Sequence, residues 1–191
     1  METATAGCFA ASRPRSTSSG AQQSDWIIGE GLFTKRVHGV GLRSMKAPGT
    51  AYDDPVLGRD PQPAHMDQYV VTDDDNSGVH INSGIPNHAF YLAATAIGGH
   101  TWKVLGRIWY DVLRGKLGSS AQFADMVRET VVTAGTLFGA GSEVQRAIAD
   151  AWEAVGLRVQ VPIASRRPAT AEKWRRRPAA ATNAASKERN K

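Results

Sequence analysis

The chain has 191 residues, 41% of them hydrophobic, and a formal net charge of +5, which suits one domain with a hydrophobic core and additional tails. No stretch of the sequence approaches the roughly eighteen consecutive apolar residues of a membrane-spanning helix. The first twenty residues lack the basic and apolar regions of a secretory signal, so the compartment stays unassigned. Nine basic and two acidic residues between Ala164 and Lys191 give this C-terminal segment a charge of +7 and leave about −2 for the rest of the chain. The basic segment is not accompanied by a motif that reads a nucleic-acid groove, so no specific nucleic-acid partner is expected.

Composition divides the chain into three regions. Residues 1–21 are small and polar and are predicted to form a disordered leader; Cys8 lies there and is the only cysteine, so no intrachain disulfide can form. Residues 22–157 have the composition of a globular domain, and residues 158–191 form a basic, low-complexity tail. Within the domain, residues 25–79 are rich in Gly, Pro and Asp without a sustained period, which predicts a long irregular segment.

Four helices are predicted after that segment, which makes the expected fold mostly α. Their apolar residues recur at spacings of three and four, and Trp102 is among those expected to be buried. The expected starts lie at or near Ser83, Thr101, Ala121 and Ser142. Three of the helices are expected to end at glycines, namely Gly98, Gly139 and Gly156. Ser83 is expected to cap the first helix, and Ser142 has capping-box spacing with Gln145.

One histidine has a carboxylate close to it in sequence. Asp75 precedes His80 by five residues across the turn-forming run Asn76-Ser77-Gly78. A carboxylate folded back on an imidazole fixes the ring tautomer, and a histidine held in this way can donate a hydrogen bond to an oxyanion or shuttle a proton. Spacing alone nevertheless favours a structural hydrogen-bonding histidine.

The sequence contains neither of two common metal-binding motifs in complete form. A zincin needs His-Glu-x-x-His, but none of the five histidines is followed by glutamate and no two are four residues apart. The run beginning at Asp73 resembles the start of an EF-hand loop, but Gly84 stands where the loop needs glutamate. We therefore expect no zinc site formed by this chain alone.

Three blocks, residues 25–34, 42–45 and 75–91, resemble the C-terminal half of thermolysin-like zinc metalloendopeptidases (neutral proteases). The stretch at residues 46–55 is most similar to the protealysin-like branch of that family. The resemblance covers roughly residues 22–157 and implies the family's helical C-terminal domain and a peptide or protein substrate.

The resemblance also implies roles for four residues. His80 matches the histidine that donates to the tetrahedral oxyanion, and Asp75 matches the carboxylate that orients it. Arg43 matches the arginine that holds a substrate carbonyl. Leu42 matches a wall of the apolar pocket for the residue after the cut. Without the resemblance, Arg43 and Leu42 would be interpreted as a surface ion-pairing arginine and a core leucine.

The family's zinc ligands and general base would precede Asp25, where this sequence has only the leader. Zinc is thus implied by the family while its ligands are absent here. Asp25 and Glu30 match two calcium-binding carboxylates, but Ile27 replaces another, so calcium is only weakly expected. The chain is predicted to be the C-terminal half of a metalloendopeptidase, inactive without an N-terminal zinc-binding half, with exposed apolar surface on the face bearing Leu42 and His80. The alternative is an inactive truncation product or a helical protein-interaction module.

Overall fold

A computed structural model of the chain describes residues 20–163, in which α-helices follow a segment of turns and short strands. The strands are β1 (Ile27–Ile28), β2 (Arg43–Ser44), β3 (Asp53–Asp54) and β4 (Gly58–Arg59). The helices are α1 (Asp75–Asn82), α2 (Gly84–Ile97), α3 (Leu105–Gly115), α4 (Phe123–Phe138) and α5 (Glu143–Ala154). The mostly α fold predicted from the sequence is confirmed, and the four predicted helices correspond to α2–α5.

The core lies where α5 packs against both α2 and α4, with α3 against α4. The rings of Trp109 and Trp152 stack at its centre with their centroids 6.0 Å apart, and both residues are at most 2% exposed. The indole Nε1 of Trp152 donates to the Thr130 hydroxyl over 2.9 Å, so the buried polar group of the ring is satisfied. This packing fixes α2, whose N-terminus follows the candidate site directly.

The irregular segment is organised by two antiparallel ladders and by buried carboxylates. Strand β1 pairs with β2, and Ile28 lies opposite Arg43; β3 pairs with β4. The Asp54 carboxylate accepts hydrogen bonds from three backbone N–H groups, with that of His38 at 2.9 Å. These bonds, that from His38 first, hold the pKa of Asp54 below its usual range. Carboxylates thus satisfy backbone donors that regular strands would pair.

One predicted helix cap is wrong, and a second is confirmed only in part. Ser83 has helical backbone angles and makes no side-chain cap bond to α2; its hydroxyl instead donates to the carbonyl of His80. Ser142 does cap α5, since its hydroxyl accepts from the backbone N–H of Gln145. The reciprocal bond of a capping box is missing, because the Gln145 side-chain amide accepts from the Gly141 N–H and donates to the Val131 carbonyl. A reciprocal capping box occurs instead at the start of α4.

The prediction that Trp102 is buried is also wrong. Trp102 is 54% exposed and lies in a 3-10 turn, Thr101–Lys103, ahead of α3. Its ring stacks on His100 with a centroid separation of 4.5 Å. The helical period used to assign Trp102 to the core therefore begins later, at Leu105.

The predicted leader and basic tail lie outside the described residues, apart from residues 20–21 and 158–163. Ala21 is 2% exposed; its N–H donates to Gly99 and its carbonyl accepts from the Trp26 indole. The expected leader therefore ends inside the packed structure, and Ala21 is not part of a disordered segment. Among residues 20–163, no helix has the length and apolarity needed to cross a membrane.

Candidate active site

The first half of α1 is not a right-handed helix, because four consecutive residues there form a left-handed turn just before His80. Asp75, Asn76, Ser77 and Gly78 have φ values of 55°, 50°, 68° and 72°, a region that costs most L-residues roughly 1–2 kcal/mol each. Aspartate, asparagine and glycine are the residues that tolerate it best. The sequence Asp-Asn-Ser-Gly is thus suited to a turn that reverses the chain just before His80.

Gly78 is required at this turn for a second reason. A Cβ added there would lie 2.9 Å from Asn82 Nδ2 and 3.1 Å from Thr72 Cγ2. Asn82 is 2% exposed, and its amide accepts from Val70 N–H over 2.9 Å and donates to Val70 C=O over 2.8 Å. The turn therefore packs tightly against the Asn82 side chain, which holds the preceding segment through its two hydrogen bonds to Val70.

The reversal brings Asp75 against His80. One carboxylate oxygen, Oδ1, contacts His80 Nδ1, while Oδ2 accepts from the backbone N–H groups of His80 (2.9 Å) and Ile81 (3.3 Å). The bond from the His80 side chain, followed by the two backbone bonds, holds the pKa of Asp75 below its usual range. Asp75 is 26% exposed, whereas the His80 side chain is 71% exposed, so the imidazole is presented to solvent by a more buried carboxylate.

Arg43 reaches the same site from β2. Its Nη1 donates to the backbone carbonyl of His80 over 3.0 Å, although the two residues are 37 positions apart. Pairing of β2 with β1 sets the register from which the arginine extends. The structure thus brings together three of the four predicted site residues: Arg43, Asp75 and His80.

Leu42, the fourth, precedes Arg43 and lies over Gly29. A Cβ at Gly29 would come within 3.0 Å of both Leu42 and Leu32 side chains. Both leucines are exposed, Leu42 by 45% and Leu32 by 67%. Leu42 is therefore an exposed apolar residue and not a core leucine.

Exposed apolar residues are concentrated in the segment before His80. Of the ten large apolar side chains that are exposed within residues 20–163, seven lie between positions 32 and 71, and Val56 and Val71 reach 90% and 91%. Exposed apolar side chains indicate an interaction surface where they are contiguous. Leu42 and Leu32 lie side by side over Gly29, in agreement with exposed apolar surface at Leu42; that this surface extends to His80 stays a prediction.

Sequence reasoning missed Gln62, which lies beneath the candidate site. Its side chain donates to the His80 carbonyl and to the Ser83 hydroxyl. The only sequence signal is a polar residue between two prolines in Asp60-Pro61-Gln62-Pro63. That pattern predicts an extended segment, but it does not predict that Gln62 contacts His80, which lies 18 residues further along the chain.

The described residues do not fit a zinc ion. Across residues 20–163, which include all five histidines, no group of three or more His, Cys, Asp or Glu side chains is arranged to hold a metal. Asp25 accepts from the backbone N–H of Ile27 over 3.0 Å, as in a local turn. Calcium binding by Asp25 and Glu30 stays a prediction.

Comparison with known proteins identifies relatives of this arrangement. A family profile described as "Thermolysin metallopeptidase, alpha-helical domain" matches residues 3–157. An extracellular metalloprotease of Pectobacterium carotovorum subsp. carotovorum is 53% identical over 140 residues, covering 73% of this chain and 40% of the relative. Protease PrtS of Photorhabdus sp. (strain Az29) is 46% identical over 143 residues, covering 73% of this chain and 38% of the relative.

A solved structure shows the same fold. The precursor of protealysin, a metalloproteinase from Serratia proteamaculans, superposes with a TM-score of 0.70 at 55% sequence identity, covering 73% of this chain and 43% of that one. The chain thus spans about two fifths of the length of these relatives. The resemblance inferred from the sequence is confirmed, and the chain belongs to the thermolysin metallopeptidase family, with residues 3–157 matching its α-helical domain.

Proposed function

We propose that this chain supplies the substrate-orienting half of a peptide-bond hydrolase, in which His80 donates to the oxyanion of the reacting carbonyl. The observation that carries the proposal is the convergence of Asp75, His80 and Arg43 on one exposed surface. Membership of the metallopeptidase family supports a peptide or protein as the substrate.

The chemistry of His80 follows from its pairing. Asp75 occupies Nδ1, which leaves Nε2 on the opposite edge of an imidazole that is 71% exposed. When both ring nitrogens are protonated, Nδ1–H donates to the carboxylate and Nε2–H can donate to an oxyanion. Because the turn already holds the ring, little reorganisation is needed when charge develops on the substrate oxygen.

Arg43 and Leu42 would bind the substrate beside His80. The guanidinium has five N–H donors in a planar fork and makes a hydrogen bond of 3.0 Å to the His80 carbonyl. A substrate backbone carbonyl is the same kind of acceptor and could replace it. The neighbouring Leu42, 45% exposed, offers apolar contact for the side chain after the cut.

Activation of the attacking water is not assigned to any described residue. We propose that it comes from a zinc-binding half, since residues 20–163 hold no arrangement that fits the ion. The chain then hydrolyses nothing by itself, and its exposed apolar residues would be covered by that second half.

The test is casein hydrolysis by the purified chain with added zinc, alongside His80→Ala. His38→Ala serves as the matched control because the Asp54 contact of His38 is through its backbone N–H. No hydrolysis is expected from any of the three proteins. Hydrolysis by the chain and by His38→Ala that is lost in His80→Ala would show that the chain activates water itself, which would overturn the need for a second half.

A further inference from the structure

The Gln62 side chain lies buried directly under the backbone of His80. Gln62 is 4% exposed, and its Nε2 donates to His80 C=O over 3.0 Å and to Ser83 Oγ over 2.9 Å. The Ser83 hydroxyl in turn donates to the same His80 carbonyl over 2.7 Å. One amide hydrogen therefore holds the His80 carbonyl directly, and the other holds the Ser83 hydroxyl that donates to the same carbonyl.

The backbone of Gln62 is held in place by Asp60. Its backbone N–H donates to Asp60 Oδ1 over 3.2 Å, and the other Asp60 oxygen accepts from Gly49 and Ala51, each at 3.1 Å. Asp60 is 4% exposed. On the opposite side, a Cβ at Gly84 would lie 2.9 Å from Gln62 Cβ, so the first residue of α2 packs against the glutamine. Gln62 is thus anchored between a buried carboxylate and a helix N-terminus.

The bond from Gln62 reaches Asp75 through a single peptide group. The carbonyl of His80 and the N–H of Ile81 belong to the same planar unit. Its carbonyl oxygen accepts from Gln62 and Ser83, while its N–H donates to Asp75 Oδ2 over 3.3 Å. Fixing one end of the plane therefore fixes the direction of the other.

Arg43 is a third donor to that carbonyl, at 3.0 Å, although a carbonyl oxygen has only two lone pairs. In the proposed function, a substrate carbonyl replaces that of His80 as the acceptor for this donor of Arg43. Gln62 and Ser83 would then still satisfy the oxygen, so His80 need not move when the arginine does.

We propose that Gln62 is a positioning residue that fixes the His80–Ile81 peptide group, and through it the pairing of His80 with Asp75, independently of Arg43. The relevance of this pairing to hydrolysis rests on the proposed function. Gln62 acts only through the backbone and contacts neither reacting atoms nor Asp75 directly.

The test uses the full chain without metal, substrate or partner, and follows the titration of the Asp75 carboxyl by ¹³C NMR. Gln62→Met keeps the length of the side chain and removes both donors; Gln68→Met, at an exposed position, is the matched control. In the unaltered chain we expect a midpoint below the ordinary value of 3.8, because the hydrogen bond from the His80 side chain lowers the pKa of Asp75. The expected result is a rise toward that value in Gln62→Met, no change in Gln68→Met, and no change in Arg43→Met.

An unchanged Asp75 midpoint in a folded Gln62→Met chain would overturn the proposal, and so would a rise in Arg43→Met alone. If Gln62→Met does not give the dispersed NMR spectrum of a folded protein, Gln62→Leu, which also removes both side-chain donors, is used in its place. A rise of the midpoint is expected there too, and an unchanged midpoint would overturn the proposal. This titration measures no hydrolysis, so a negative result would not contradict the proposed function. Conversely, the absence of hydrolysis when the chain is combined with a zinc-binding half would not contradict the positioning role of Gln62.

Discussion

The left-handed turn before His80 can be tested by adding one methyl group at Gly78. Two glycines in the segment share a positive φ of similar size: Gly78 at 72° and Gly58 at 77°. A Cβ at Gly58 would have no atom within 4 Å, whereas one at Gly78 would collide with Asn82 and Thr72. The pair Gly78→Ala and Gly58→Ala therefore separates backbone strain from loss of packing.

The expected magnitudes follow from these contacts. An alanine at either position adopts a left-handed conformation, which costs about 1–2 kcal/mol. At Gly78 the collision also displaces the Asn82 amide, whose two hydrogen bonds to Val70 measure 2.9 and 2.8 Å. Each such bond contributes about 0.5–1.5 kcal/mol. We expect Gly58→Ala to lower the free energy of unfolding by about 1–2 kcal/mol and Gly78→Ala by about 2–5 kcal/mol.

The assay is urea denaturation of both variants and the unaltered chain, followed by far-ultraviolet circular dichroism. The difference should appear as a shift in the midpoint with the slope unchanged, since neither variant alters the surface exposed on unfolding. Equal losses in the two variants would refute the claim that the turn closes over Asn82. A negligible loss in both would refute the left-handed conformation itself.

Two further predictions concern stability. Thr130→Val should lower the free energy of unfolding by about 1–3 kcal/mol, because it leaves the Trp152 indole N–H buried without an acceptor. The control Thr136→Val, at an exposed hydroxyl, should change the free energy of unfolding by less than about 0.5 kcal/mol. Equal effects of the two variants in urea denaturation would contradict this prediction. The second prediction concerns acid, because hydrogen bonds lower the pKa of three carboxyls, Asp54, Asp75 and Asp125. A lowered folded-state pKa contributes stability that is complete above the unfolded value near 3.8 and is lost as pH falls through the folded value. The urea midpoint should therefore decline below about pH 4, and a midpoint that rises between pH 4 and pH 3 would contradict this.

The helices could be predicted from the sequence because their signals are local. Apolar residues at spacings of three and four follow one another through α2–α5, and glycines such as Gly98 and Gly139 stand just beyond helix ends. The errors arose where a side chain had a competing partner. Ser83 bonds to His80 instead of capping α2, and Gln145 bonds to Gly141 and Val131.

The candidate site was predictable only in part. Asp75 and His80 are five residues apart, so the turn between them could be inferred from its residues, and the resemblance added Arg43 and Leu42. Gln62 could not be found because its contacts depend on how the irregular segment folds back beneath α2. That path is fixed by the buried carboxylate of Asp60, whose partners have no sequence period.

The most direct test of the central claim is complementation. The chain is mixed with zinc and with a separately produced fragment of the Pectobacterium metalloprotease, comprising the part of that relative which this chain does not match. Casein hydrolysis is measured for each component alone and for mixtures containing the unaltered chain, His80→Ala or His38→Ala. The account predicts hydrolysis only in the mixtures, with His38→Ala unaffected and His80→Ala slower by about 10²–10³-fold. An inactive mixture in which the two polypeptides demonstrably bind, or equal rates with and without His80, would contradict it.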